Sequence, residues 1–94
     1  MGWSAARKLR TAVDALARVI AVEMVAATRA LEIRTYGGGS PAPATAAVLA
    51  AVREAGVPGP GRDRFLAPDL EAAYAFVRSG GLVGAAEVVT GPLE

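Results

Sequence analysis

The stretch "SAARKLRTAVDALARVIAVEMVAATRALEIR", residues 4–34, decides the fold, because it contains neither glycine nor proline and repeats apolar residues at helical spacing. Steps of three and four place its larger apolar residues on one face: Leu9, Val13, Leu16, Ile20, Met24, Ala27 and Leu31. Charged residues collect on the other side: Arg7, Arg10, Asp14, Arg18, Arg29 and Glu32. Ser4 is predicted to cap the helix, and Asp14 with Arg18 to form an i,i+4 ion pair. The stretch therefore predicts one helix of about 45 Å.

The centre of this helix, "VIAVEMVAA" at residues 19–27, is apolar nearly all round. Val19, Val22 and Val25 extend the apolar surface to its sides and back, so the centre needs cover from several neighbouring elements. Glu23 is the lone carboxylate there, and a buried charge needs a partner. We predict an arginine of another element or subunit as that partner, in preference to a catalytic role.

The rest of the chain predicts shorter helices separated by glycine and proline. "TYGGGSPAP" at residues 35–43 ends the long helix, and a second helix spans 43–55. A third spans 68–78 and ends at a glycine pair, and a fourth is predicted over 82–89, with an extended strand as the alternative at 88–90. The predicted fold is all-α: one long helix and two or three shorter ones, part of a helical bundle, forming a single segment over 1–94 with loops at 35–43 and 56–67.

The composition narrows the functions open to this chain. Ten basic and nine acidic residues give a net charge of +1 over 94 residues, without the basic stripe that nucleic-acid binding needs. The absence of cysteine and histidine removes thiolate catalysis, the commonest metal ligand and the commonest general base. No apolar run reaches the roughly 20 residues that span a bilayer. We expect a cytoplasmic chain with no metal, nucleic-acid or membrane partner.

The stretch "RDRFLAPDLEAAYAF" at residues 62–76 is the strongest candidate for a site, since it concentrates charges ahead of an apolar run. Pro68 suits the first turn of a helix, and Asp69 and Glu71 suit the positive end of its dipole. The two acids are two residues apart, so they point to different sides of the helix and make no carboxylate pair. We predict a helix N-terminus with Phe65 and Leu66 packed back against it, rather than a catalytic site.

Two further candidates are "GGGS" at residues 37–40 and Tyr36 beside it. Glycine-rich backbone before a helix can cradle a phosphate, but no strand precedes this one and no Gly-Lys-Ser/Thr follows. A helix C-cap and a surface ring are the preferred interpretations. The residues alone predict no catalytic, cofactor-binding or metal-binding residue in this chain.

Two stretches resemble the histidine ammonia-lyases of bacteria. "MGWSAARKLRTAVDALARVIAVEMVAATRALEIR" at 1–34 is similar to the long helix after the active-site region of those enzymes, and "RDRFLAPDLEAAYAFV" at 62–77 to a segment near their C-terminus. The resemblance implies a parent enzyme that eliminates ammonia from L-histidine to give trans-urocanate. It also implies a helical homotetramer with a methylidene-imidazolone group made from Ala-Ser-Gly.

This chain has no Ala-Ser-Gly, and Arg78-Ser79-Gly80 is the nearest tripeptide. The prosthetic group would thus form in an N-terminal part that the chain lacks. We expect a C-terminal helical part that forms homo-oligomers through its long helix and is inactive alone. The alternative is a stand-alone helical module for self-association or partner binding. Docking onto a separately made N-terminal part, with activity restored, is a third hypothesis.

Overall fold

The computed structural model describes residues 2–93, and these form four α-helices. The elements are α1 (Gly2–Tyr36), α2 (Pro43–Glu54), α3 (Ala67–Arg78) and α4 (Gly81–Thr90). Within residues 2–93 there is no β-strand. The predicted all-α class, with one long helix followed by shorter ones, is confirmed.

The helix ends follow the proline and glycine positions, with two local differences from the sequence-based expectation. Proline lies in the first turn of both α2 and α3, where a missing N–H costs nothing. Gly80, at φ 81°, precedes α4 in the left-handed conformation that glycine adopts most readily. Ser4 lies inside α1 and is not its cap, because the helix begins at Gly2. Residues 88–90 are helical, which excludes the extended alternative. Phe65 is 81% exposed, so the predicted packing of this ring against α3 is wrong.

The helices pack as two pairs around a thin core. α1 lies along α3, α2 lies along α4, and α3 and α4 have a smaller contact. The buried apolar cluster contains Ala21, Met24, Val25, Val52, Val57 and Ala73. Val52, Val57 and Ala73 are fully buried. The core therefore joins the second half of α1 to α2 and α3.

The buried stripe of α1 differs from its most apolar stripe. The helix buries Ala17, Ala21, Met24, Val25 and Thr28. Only Met24 belongs to the predicted apolar face. Alanine and threonine let another helix approach closely, and Thr28 satisfies its hydroxyl by donating to Met24 O at 2.9 Å and Val25 O at 3.1 Å. The other residues of the predicted apolar face consequently remain outside the buried core.

The first half of α1 projects from the rest of the molecule. Every residue from 2 to 13 is exposed, and we call residues 2–16 the N-terminal arm. The molecule measures 55 × 36 × 18 Å, with a radius of gyration of 15.3 Å. A compact chain of this length would have a radius of gyration of about 12–13 Å. Across residues 2–93, no helix combines the length and apolar character that crossing a bilayer requires.

Candidate functional site

The stretch at 62–76 builds a charged cluster at the start of α3. Asp69, which is 7% exposed, accepts hydrogen bonds on Oδ2 from Arg64 Nε at 3.0 Å and Arg64 Nη2 at 2.8 Å. Arg29 of α1 places its Nη2 3.6 Å from the same oxygen. Arg64 Nη2 also donates to Gly59 O at 3.1 Å. Two guanidiniums thus surround one carboxylate, and the cluster ties the 55–66 loop to α1 and α3.

This cluster does not have the composition of a catalytic site. Glu71, the other acid of the stretch, points elsewhere and accepts a hydrogen bond from Arg18 at 3.2 Å. The two carboxylates therefore point in different directions and do not face a common substrate. The two-residue spacing in the sequence predicted this divergence. What the sequence missed is the burial of Asp69 and its two arginine partners. The five-residue spacing between Arg64 and Asp69 was the one local signal in the sequence for their ion pair. The contact of Arg29 with Asp69 depends on the tertiary fold.

A second polar cluster joins α1 to α3 one turn further along. The Tyr74 hydroxyl donates a hydrogen bond to Asp14, and the Arg18 guanidinium lies 4.1 Å from the centre of the Tyr74 ring. Arg18 also pairs with Asp14 at 3.6 Å, as predicted. All three side chains lie at the surface end of the α1–α3 contact. They orient the two helices, and Asp14 also lines an open recess together with Arg78.

The hydrogen bond from Tyr74 shifts the ionisation of both partners. It lowers the pKa of Asp14, with the nearby Arg18 charge acting in the same direction, because both stabilise the carboxylate. It raises the pKa of Tyr74, because a phenolate would face that carboxylate. The hydrogen bond with Glu71 raises the pKa of Arg18. These shifts favour the charged carboxylate of Asp14, the neutral phenol of Tyr74 and the charged guanidinium of Arg18, which are their ordinary states at neutral pH. The three groups therefore form a structural contact between α1 and α3.

The glycines at 37–39 close the end of α1. Gly37 N and Gly39 N donate to Arg34 O at 3.1 and 3.2 Å, and Gly38 N donates to Thr35 O at 3.0 Å. These N–H groups are therefore occupied in capping the helix and do not form a phosphate cradle, which agrees with the preferred interpretation. Tyr36 is 74% exposed, as expected for a surface ring.

Ser79 is the one residue that could be compared with the serine of the Ala-Ser-Gly precursor. Its hydroxyl donates to Phe76 O at 2.8 Å and accepts from Gly81 N at 3.3 Å, at the turn between α3 and α4. Both contacts belong to the end of a helix. The residues present do not fit a methylidene-imidazolone group, because Arg78 replaces the required alanine and Ser79 is committed to the turn.

The recess with the most uniformly apolar walls is an open groove between α1, α2 and α4, with a volume of about 410 Å³. We call it the apolar groove; its walls are Ile20, Met24, Ala27, Leu31, Val48, Leu49 and Leu82. Thr28, Thr45 and Glu23 complete the lining. Within residues 2–93, Glu23 is the one charged lining residue, and its carboxylate is exposed and makes no ion pair. The predicted arginine from another element is absent there, while a partner from another subunit remains a prediction.

No group of three or more acidic, histidine or cysteine side chains in residues 2–93 has the geometry of a metal site. The structure thus assembles the candidate residues into helix-to-helix contacts, helix ends and one apolar groove. Together they provide surfaces for packing, with no combination of nucleophile, base and oxyanion donor.

Comparison with known proteins gives a consistent result along the whole chain. The family model for aromatic amino acid lyase matches residues 1–54. The chain is 70% identical over 93 residues to the histidine ammonia-lyase of Streptomyces griseus and 73% identical over 94 residues to that of Streptomyces coelicolor. It is 49% identical over 94 residues to that of Symbiobacterium thermophilum. These alignments cover 99–100% of the chain but only 18% of each relative. No solved structure matches the chain.

Proposed function

The chain belongs to the aromatic amino acid lyase family, and on that premise we propose that it is the C-terminal helical part of a histidine ammonia-lyase, serving assembly and having no turnover by itself. Identity of 70% and more to histidine ammonia-lyases supports the parent enzyme. The chain spans 18% of the length of those relatives, which leaves most of such an enzyme outside it. The proposed location is that of the parent, the cytoplasm.

The proposed parent reaction is the elimination of ammonia from L-histidine to give trans-urocanate. In that proposal the methylidene-imidazolone group supplies the electrophile and forms in the remaining part of the enzyme. This chain would supply shape: α1 as a long helix of a central bundle, and α2 to α4 as its cover. No catalytic role is assigned to any residue of this chain.

The observation that carries the assembly role is the exposed apolar face of α1. Leu9 is 66% exposed, Leu16 57% and Val19 55%, although side chains of this kind are normally buried. A long helix with large apolar residues outside its own core is suited to lie among other helices. The whole apolar face can be covered only by protein beyond the fold of one copy.

The proposal is tested by measuring urocanate formation spectrophotometrically with the purified chain and L-histidine. The histidine ammonia-lyase of Streptomyces griseus serves as the positive control. We expect no turnover by the chain and steady turnover by the control. Steady urocanate production by the chain alone would contradict the proposed inactivity.

Light scattering on the same sample tests the assembly role. We expect a discrete oligomer that melts cooperatively. A monomer at all accessible concentrations would contradict self-assembly. The chain should then be mixed with the remaining part of the Streptomyces griseus enzyme, made separately. Restored turnover would support docking onto that part, and its absence would remove complementation.

A stand-alone association module is the second candidate, and the same exposed face of α1 favours it. The two functions differ in what the chain needs for its biological activity. If the chain acts within a lyase, deleting it from the whole enzyme should abolish urocanate production. An enzyme that stays fully active after the deletion would favour the module.

A further inference from the structure

The loop between α2 and α3 is held over most of its length by one side chain. Its backbone N–H groups form hydrogen bonds only as far as Val57, which donates to Val52 O at 3.3 Å. Within the described residues 2–93, no backbone-to-backbone hydrogen bond involves residues 58–65. Their side-chain anchor is Arg64, whose Nη2 donates to Pro58 O at 3.4 Å and to Gly59 O at 3.1 Å. We call residues 58–65 the strap.

The same guanidinium joins the strap to α3. Arg64 Nε and Nη2 both donate to Asp69 Oδ2, at 3.0 and 2.8 Å. Arg64 therefore connects two carbonyl groups at the start of the strap with a carboxylate just beyond its end. If Arg64 leaves Asp69, the strap loses its attachment to α3. The preceding residue, Val57, stays in place because it is fully buried and accepts a hydrogen bond from Arg53 at 2.8 Å.

A second guanidinium lies beside the same carboxylate with free donors. Arg29 Nη2 is 3.6 Å from Asp69 Oδ2, which is longer than a hydrogen bond. Arg29 Nε and Nη2 are both buried, and neither has an acceptor among residues 2–93. Arg64 uses the same pair of nitrogens to bind Asp69. A shift of about 0.7 Å would bring Arg29 Nη2 to the usual N–H···O distance of about 2.9 Å.

These free donors make the release of Arg64 less costly. A buried carboxylate without a partner is strongly unfavourable, so Asp69 would otherwise hold Arg64 permanently. Because Arg29 can replace Arg64, Asp69 keeps a positively charged partner in both arrangements. The exchange also gives the buried N–H groups of Arg29 an acceptor that they lack while Arg64 is bound. Arg64 itself is 29% exposed and can be hydrated when released.

We propose that the strap opens without unfolding the helices, by exchanging Arg64 for Arg29 as the partner of Asp69. Opening uncovers the ion pair between Arg53 Nε and Glu32 Oε1, which are 2.7 Å apart. Gly59 of the strap lies directly against that pair, since a Cβ added at Gly59 would overlap the Glu32 carboxylate. All of these contacts lie within one copy, so the proposal is independent of the assembly role and of the parent reaction.

Thermal melts of three variants test the exchange: Arg64→Met, Arg29→Met and the double variant. Methionine keeps an apolar stem at each position. We expect Arg64→Met to lower the melting temperature clearly less than Asp69→Ala does, because Arg29 replaces Arg64. Arg29→Met should have little effect, since Arg64 still binds Asp69. The double variant leaves Asp69 without an arginine, so its loss should exceed the sum of the two single losses.

NMR of the arginine side chains identifies the partner of Asp69 directly. In the wild type, the proton on Arg64 Nε should have the downfield shift of a hydrogen bond to a carboxylate. In Arg64→Met, the proton on Arg29 Nε should move downfield. Arg62→Met is the matched control, since Arg62 is exposed and none of the ion pairs among residues 2–93 includes it. It should leave the Arg29 signal unchanged.

Trypsin cleavage after Arg62 measures the opening of the strap. When opening and closing are fast relative to cleavage, the rate follows the population of the open form. We expect cleavage after Arg62 to be severalfold faster in Arg64→Met than in the wild type. Cleavage within α1, after Arg18 or Arg29, is the internal control and should not accelerate.

The expected results together support the exchange. An Arg64→Met variant that melts as low as Asp69→Ala, or that fails to fold, would overturn it, because Arg29 would then not replace Arg64. Additive losses in the double variant, or an unchanged Arg29 signal in Arg64→Met, would also overturn it. Cleavage after Arg62 that stays at the wild-type rate, or rises only together with cleavage in α1, would show that the strap does not open separately.

Discussion

Replacing Asp69 by alanine is expected to destabilise the chain markedly, because it removes the carboxylate that two arginines share. The side chain of Asp69 is 9% exposed, and that of Arg64 is 29% exposed. Breaking a buried ion pair by removing one partner costs about 3–5 kcal/mol. The Arg64 guanidinium can recover some hydration here, so we expect a loss of about 2–3 kcal/mol in the free energy of unfolding.

The measurement is a thermal melt followed by circular dichroism at fixed chain concentration. For a chain of this size, 1 kcal/mol shifts the melting temperature by about 4–8 °C, so Asp69→Ala should lower it by roughly 8–24 °C. Asp63→Ala is the matched control, since Asp63 is exposed and none of the ion pairs among residues 2–93 includes it. A melting temperature of Asp69→Ala within about 2 °C of the wild type would refute the reasoning, as would an equal loss in Asp63→Ala.

A double-mutant cycle separates the two possible sources of the effect. Asp69 also lies in the first turn of α3, where a carboxylate gains from the helix dipole by about 0.3–1 kcal/mol. If the arginine contact dominates, Arg64→Ala and Asp69→Ala should be strongly non-additive, with a coupling energy of about 1–2 kcal/mol. Additive losses would assign the stabilisation to the dipole instead.

Tyr74→Phe should weaken the pH dependence of the melting temperature at both acidic and alkaline pH. The hydrogen bond from Tyr74 to Asp14 stabilises the fold fully above the ordinary carboxyl pKa of 3.8 and below the ordinary phenol pKa of 10.0. That contribution is lost as pH falls through the lowered pKa of Asp14 or rises through the raised pKa of Tyr74. A variant whose melting temperature depends on pH as in the wild type would contradict the stabilising role of this hydrogen bond. Gly84→Ala, in open space within α4, should stabilise by about 0.5–1 kcal/mol, whereas Gly80→Ala, at positive φ, should destabilise by about 1–2 kcal/mol in urea unfolding. Destabilisation by Gly84→Ala together with stabilisation by Gly80→Ala would show that α4 begins elsewhere. Ile20→Asp should abolish the oligomer while the isolated chain keeps its helices, because Ile20 lies outside the buried core. An unchanged oligomer mass in light scattering would show that Ile20 does not lie in the contact between subunits.

The positions of the helices could be derived from the sequence, because the signals are local. Pro43 and Pro68 each lie in the first turn of a helix, and the glycine pair at 80–81 marks the boundary between the last two. The absence of glycine and proline from 4–34 predicted one uninterrupted helix, which the structure has as Gly2–Tyr36. Such features depend on the backbone preferences of a few neighbouring residues.

The buried face of α1 and the environment of Asp69 were decided by the tertiary structure. Hydrophobicity alone favours Leu9, Leu16 and Ile20 as core residues, but α1 buries the smaller side chains of Ala17 and Ala21 instead. Arg29 meets Asp69 across 40 positions of the chain, and no periodicity encodes that approach. The sequence by itself determined where helices form, since that choice is local. Which faces they bury depends on how closely distant segments fit together, so only the tertiary structure decided it.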